Sequence, residues 1–145
     1  MADAFLKPDL QTSLLCDDVR QEGNGKFILI GIFERLGFKE FPGAVPKFCI
    51  FNRWCCGEGT YTQQTRIIAP DGVTKLVEGR AVEIKLQNEH STATSVEFFV
   101  NLRFPSPGAY WVEVYLDHEL KIRHPLLVGE IRQGRGCHIA VQLLE

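Results

Sequence analysis

The stretch F-P-S-P-G-A-Y-W-V-E-V-Y-L-D-H-E-L-K-I-R-H-P-L-L-V, from Phe104 to Val128, decides the fold. Pro105, Pro107 and Gly108 make a corner through which no helix can run. After it, Tyr110, Val112, Val114 and Leu116 alternate with Trp111, Glu113, Tyr115 and Asp117. This period of two, rich in β-branched and aromatic residues, predicts a strand with one buried face. Asp117-His118-Glu119 is a polar break. Leu120, Ile122 and the run Leu126-Leu127-Val128 resume the extended pattern, so the stretch reads as a β-hairpin entered through a P-x-P-G corner.

Outward from the hairpin the chain repeats the same material. Val96 to Phe104 alternates as Val96, Phe98, Val100, Leu102 and Phe104, and Ala81 to Leu86 turns Val82, Ile84 and Leu86 inward. Tyr61 to Ala69 reads as a strand ending at the Pro70-Asp71-Gly72 turn, with Val73 to Val77 returning as an edge. Lys47 to Cys56 is a strand with Phe48, Ile50, Asn52 and Trp54 on one side and Cys49, Phe51, Arg53 and Cys55 on the other. Gly37 to Pro46 reads as a connection. Lys26 to Glu34 is almost continuously apolar, which predicts a central strand buried on both faces, with Gly31 marking a bulge or close approach. Gln21 to Gly25 is a turn, and Ser13 to Val19 a short first strand. Residues 1–12 form a flexible lead-in to a single domain over 13–145, and Cys137 to Leu144 a last strand. The expected fold is all-β: an Ig-like β-sandwich of about eight or nine short, mostly antiparallel strands.

The 145 residues suit one domain with a sizeable core. A net charge of −2 and a pI near 6.1 leave no electrostatic footprint for nucleic acid. No apolar run approaches a membrane span, and the N-terminus lacks signal-peptide character, so the expectation is a cytoplasmic protein. The five cysteines, Cys16, Cys49, Cys55, Cys56 and Cys137, have no framework spacing and read as reduced thiols.

Chemistry is sparsely marked. Cys55, Cys56, Cys137 and His138 offer soft ligands, but neighbours on a strand point to opposite faces and no knuckle spacing occurs, so no metal and no cofactor are expected. There is no nucleophile elbow and no phosphate loop. The glycine-flanked segment from Gly129 to Gly136 reads as a surface loop with a basic tip, Arg132 and Arg135. The best binding candidate is N-R-W-C-C-G-E-G-T-Y, residues 52–61. It gathers Arg53, Trp54 and Tyr61 around a glycine-rich bend, and these residue types are enriched at binding hot spots. Against this stands the plainer reading that Trp54 is core.

L-L-C-D-D-V-R-Q-E-G-N-G-K-F-I-L-I-G-I-F-E at residues 14–34 and F-P-S-P-G-A-Y-W-V-E-V-Y-L-D at residues 104–117, followed by Pro125-Leu126-Leu127-Val128, together resemble a family of small bacterial proteins of unknown function. The resemblance implies a bacterial cytoplasmic source and a single β-sandwich domain, and it carries no catalytic residues. The functional expectation is a non-enzymatic interaction module that binds a protein partner or itself, with no nucleic acid and no membrane involved. The alternative is a small-ligand binder or hydrolase with its site in the loops. A deep polar pocket would favour the alternative, and a flat apolar edge the module.

Overall fold

A computed structural model describes residues 7–131. Among them are ten strands and no helix: β1 (Asp9–Gln21), β2 (Phe27–Phe33), β3 (Arg35–Phe38), β4 (Gly43–Cys55), β5 (Gly59–Ile68), β6 (Lys75–Glu78), β7 (Val82–Leu86), β8 (Thr92–Phe104), β9 (Gly108–Leu116) and β10 (Glu119–Glu130). One sheet has the order β2-β1-β4-β8. The other runs β3-β10-β9-β5-β6, with β7 also paired to β5. Every pairing is antiparallel except β10 with β3. The expected last strand from Cys137 to Leu144 and the basic tip with Arg132 and Arg135 lie outside the described residues.

The deciding hairpin forms as its alternation dictates. Tyr110, Val112, Val114 and Leu116 are all buried, facing Phe48, Ile50, Trp54 and Phe104 of the other sheet across one core. At the corner, the Tyr110 hydroxyl donates to the Ser106 carbonyl at 2.7 Å. Gly108 has φ +149°, and a Cβ there would sit 2.6 Å from Pro70 Cγ. The hairpin closes on Asp117 and His118, both left-handed at φ +47° and +68°. This mirror-image turn geometry suits a two-residue connection. Pro125 is tolerated inside β10 because β3 pairs only with Leu127 to Glu130, so no partner needs a proton from residue 125.

Expectations of three kinds are corrected. First, Gly37 to Pro46 is not simply a connection. Leu36 and Phe38 alternate inward on β3, and β4 already starts at Gly43. Pairing with β10, distant in sequence, makes a strand of four residues that local pattern does not announce. Likewise β1 begins at Asp9, paired with Cys55, rather than at Ser13. Second, among the described residues β2 is an edge strand and not a central one, and Ile28, Ile30 and Ile32 are 43%, 40% and 57% exposed. An uninterrupted apolar run fits a doubly buried strand, but here one face is open. Third, the alternation of β8 breaks. Phe98 and Val100 face solvent while Leu102 and Phe104 turn inward. Asn101, left-handed at φ +54°, reverses the facing between them.

A bend in β1 and β2 has further consequences. Leu14 pairs with Phe51 of β4, and Gln21 pairs with Phe27 of β2. Seven residues of straight strand span about 23 Å. Yet the rings of Phe27 and Phe51 are 5.6 Å apart. The hairpin arm therefore folds back over the outer face of its own sheet. The bend lies at Asp17 and Gly31: Gly31 has φ +68°, and the Asp17 carboxylate fills the space a Cβ would need. Under the arm, Cys16 and Cys49 are cross-strand partners and fully buried, although they lie on the side away from the core.

Candidate functional site

Adjacent residues of a strand face opposite ways, and this separates the sequence-derived candidates. Trp54 is fully buried in the core, where its Nε1 donates to Gln63 Oε1 at 2.7 Å. Arg53 lies on the outer face of the same strand, donating to Thr94 Oγ1 at 3.2 Å. Tyr61 belongs to the other sheet, and its hydroxyl donates to the Glu58 carbonyl at 2.5 Å. The three do not converge. Arg53 instead lines a groove of about 590 Å³ with Phe51, Phe27, Leu29, Thr12 and Lys26, opened by the folded-back arm. Tyr61 lines a small cleft with Lys7 and Lys121.

The outer face of the six-stranded sheet carries a polar cleft of about 250 Å³ lined by Thr62, Gln64, Arg66, Glu78, Tyr115, Asp117 and His118. Its charges are engaged with one another. Arg66 Nε meets Glu78 Oε2 at 2.6 Å and lies 4.5 Å over the Tyr115 ring. The Tyr115 hydroxyl donates to Glu113 at 2.8 Å, and Arg123 both pairs with Glu113 at 3.6 Å and stacks on Trp111. Hydrogen bonding from Arg66 holds the Glu78 carboxyl below its ordinary range, while the bond to Glu113 raises the Tyr115 phenol. Asp117 accepts from the Thr62 backbone N–H at 2.8 Å. These contacts link neighbouring strands, as cross-strand pairs do. His118 lines the same cleft at the closing turn of the hairpin.

A second polar group is internal. Ser13, Asn52 and Ser95 stand in one row across the four-stranded sheet. Ser13 Oγ is 3.1 Å from His124 Nε2, and Ser95 Oγ accepts from Gln63 at 2.9 Å. Asn52, fully buried between them, has no hydrogen-bond partner for its amide among the described residues. Burial lowers the pKa of His124 and raises that of Glu97, the latter only partly opposed by Thr65. Among the described residues no group of three or more His, Cys, Asp or Glu could hold a metal ion. The described cysteines are all free, and burial raises Cys16 to about 11, so it is a poor nucleophile at neutral pH.

The remaining feature is apolar. Ile28, Ile30 and Ile32 project from β2, whose outer edge has no strand partner among the described residues. Fully burying an isoleucine is worth about 1.5–3 kcal/mol, so three half-exposed ones forgo a substantial stabilisation. Proteins normally blunt an edge with lysine, proline or a bulge on the strand itself. Residues 27–33 contain neither charge nor proline. The sequence signal for this surface, the run from Lys26 to Glu34, is plain; its exposure follows only from the position of β2 in the sheet.

No described helix is long and apolar enough to cross a membrane. A family model described as "Family of unknown function (DUF6941)" matches residues 11–129. No curated protein matches the chain.

Proposed function

The chain belongs to the family of unknown function DUF6941, and from that premise we propose that it is a non-enzymatic interaction module, an Ig-like sandwich that binds protein through the edge of β2. The observation that carries the reading is the open row Ile28, Ile30 and Ile32 on an uncharged edge strand. An extended segment of another chain can add to such an edge through main-chain hydrogen bonds, with alternate side chains supplying specificity. The hydrolase alternative draws less support. The charges lining the polar cleft are paired with one another, and the groove beside Arg53 is lined as much by Phe27, Leu29 and Phe51. The unpaired described cysteines suit a reducing compartment, in keeping with a module of the bacterial cytoplasm.

Site-specific photo-crosslinking in the native host tests this reading. A photoreactive residue at position 30 should give protein adducts, lost on Ile28→Asp. The same residue at position 83, on the outer side of β7, should give none. Equal labelling from both positions, or no adduct from position 30, would overturn the edge as the binding surface.

A further inference from the structure

The groove beside Arg53 lies where the folded-back arm meets the outer face of the four-stranded sheet. We infer that it is a binding site for a small organic monoanion, a carboxylate carried on an apolar body. The inference goes beyond the edge reading and does not use it, because Phe27 and Leu29 alternate with Ile28 and Ile30 and so face the other side of β2. Phe51 is the most buried part of the lining. It is 4% exposed although it faces away from the core, since the Phe27 ring covers it edge-on. Half-buried Phe27 and Leu29 extend the apolar wall. Gln11 and Thr12 both line the groove as well, although neighbours on a regular strand face opposite ways. The register of β1 against β4 shifts between Leu10 and Thr12, so Gln11 is the extra residue of a bulge. Bulges re-aim side chains in this way and are frequent beside functional sites.

The charge at the groove is of one sign. Lys26 and Arg53 line it, and no described Asp or Glu does. Neither cation makes an ion pair with a described residue. Arg53 uses Nε on Thr94 Oγ1 at 3.2 Å, and its two terminal nitrogens have no hydrogen-bond partner among the described residues. The guanidinium is thus steadied by one contact while keeping the pair of donors whose geometry matches a carboxylate. Two cations without counter-charges beside an aromatic wall complement a ligand that is anionic at one end and apolar along its body. A volume of about 590 Å³ is that of a small-molecule site. The carboxylate would meet Arg53 and Lys26, and the apolar body would pack on Phe27, Leu29 and Phe51.

Backbone-amide NMR titrations of the full-length chain test the site with probes of one shape and different charge: 4-phenylbutyrate, 4-phenylbutan-1-ol and 4-phenylbutylammonium. The acid should shift the amides of Phe27, Leu29, Phe51 and Arg53 saturably and bind about tenfold more tightly than the alcohol. The ammonium should bind more weakly than the alcohol. Arg53→Gln should weaken the acid by about tenfold and leave the alcohol within about twofold. Arg53→Lys keeps the charge without the fork and should fall between wild type and Arg53→Gln. Lys26→Gln, at an exposed position, should weaken the acid by about threefold. Arg80→Gln, also exposed, in the connection between β6 and β7, should leave all three probes unchanged. Circular dichroism checks that each variant is folded; if Arg53→Gln is not, Lys26→Gln and the ammonium comparison decide. Equal binding of acid and alcohol overturns the inference, as does an affinity for the acid that the folded variants of Arg53 and Lys26 leave unchanged. So does a chain that binds none of the three probes, its groove then being closed by the rest of the chain or by a second copy. A peptide ending in a free Leu-Phe carboxylate that binds more than about tenfold tighter than the acid would make the groove a reader of protein C-termini and overturn the small-molecule assignment. None of these outcomes alters crosslinking from position 30, so the edge reading stands or falls separately.

Discussion

Tyr110 shows how one side chain fixes a corner. Its ring packs edge-on against Phe104 at 5.0 Å, and its hydroxyl is satisfied by Ser106. Tyr110→Phe removes only the hydrogen bond and should cost about 0.5–1.5 kcal/mol. Tyr110→Ala also leaves a cavity and should cost about 3–5 kcal/mol. Gly108→Ala meets Pro70 in a conformation that disfavours a side chain, and should cost more than about 1 kcal/mol. Glu113 faces outward as its place in the alternation requires, yet it holds both Tyr115 and Arg123. Glu113→Ala should therefore cost about 0.5–1.5 kcal/mol, more than an unpartnered surface residue. Urea melts of the four variants check the order. Equal losses for Glu113→Ala and Tyr110→Ala would contradict the assigned facing.

At the scale of the element, the folded-back arm makes a prediction about thiols. Cys16 and Cys49 are buried by β1 and β2 and not by the core, and burial raises both pKa values. Cys56 is exposed. A thiol reagent on the native protein should modify Cys56 first and reach Cys16 and Cys49 only after unfolding. Gly31→Ala forces a Cβ into Asp17 at a left-handed φ, so it should loosen the arm and speed labelling of both buried thiols. Mass spectrometry of timed aliquots reads this, and unchanged labelling in the variant would remove Gly31 as the bend. How far the elements can be read from sequence follows the same physics. Period-two alternation locates β7 and β9 because each has one wet and one dry face. Gly31 is legible as a close approach. The alternation of β8 misleads up to Val100 because a single left-handed residue, Asn101, reverses facing without altering composition. β3 is invisible because its partner lies in β10. The grouping of Arg53, Trp54 and Tyr61 rests on closeness in sequence, which a pleated strand and a change of sheet undo.

For the whole molecule, two half-buried titratable groups set opposing pH dependences. Glu97 has a folded pKa above the ordinary 4.5 because burial disfavours its carboxylate. As pH rises past 4.5 the unfolded chain loses this proton first, so stability falls until the folded value is passed. Glu97→Gln should thus be more stable than wild type near neutral pH, with the advantage fading once the carboxyl is protonated in both states. His124 has a folded pKa below the ordinary 6.5, again through burial. Its contribution is complete above pH 6.5 and is lost as pH falls through the folded value, because the unfolded chain takes up the proton first. His124→Gln should flatten that acid-side loss. Denaturant melts from pH 4 to 8 would separate the two slopes; an advantage for Glu97→Gln that grew towards acid would reverse the argument.

The parallel seam between β3 and β10 bears on how the chain reaches this structure. Glu34 alone separates β2 in one sheet from β3 in the other, and β3 finds its partner only at Leu127 to Glu130. Nucleating that seam early would mean closing a loop over most of the described chain, an entropic cost that local hairpins avoid. The β9–β10 hairpin can form at once, and β3 can dock only when it has a finished edge to meet. Folding of such non-local all-β chains falls in the range of about milliseconds to seconds. Throughout that interval F-I-L-I-G-I-F is tethered on one side only, apolar, uncharged and free of proline, which is the composition of an aggregation-prone segment. Refolding yield should consequently decline with protein concentration, and the strand that defines the native edge would be the same one through which arrested chains stick together.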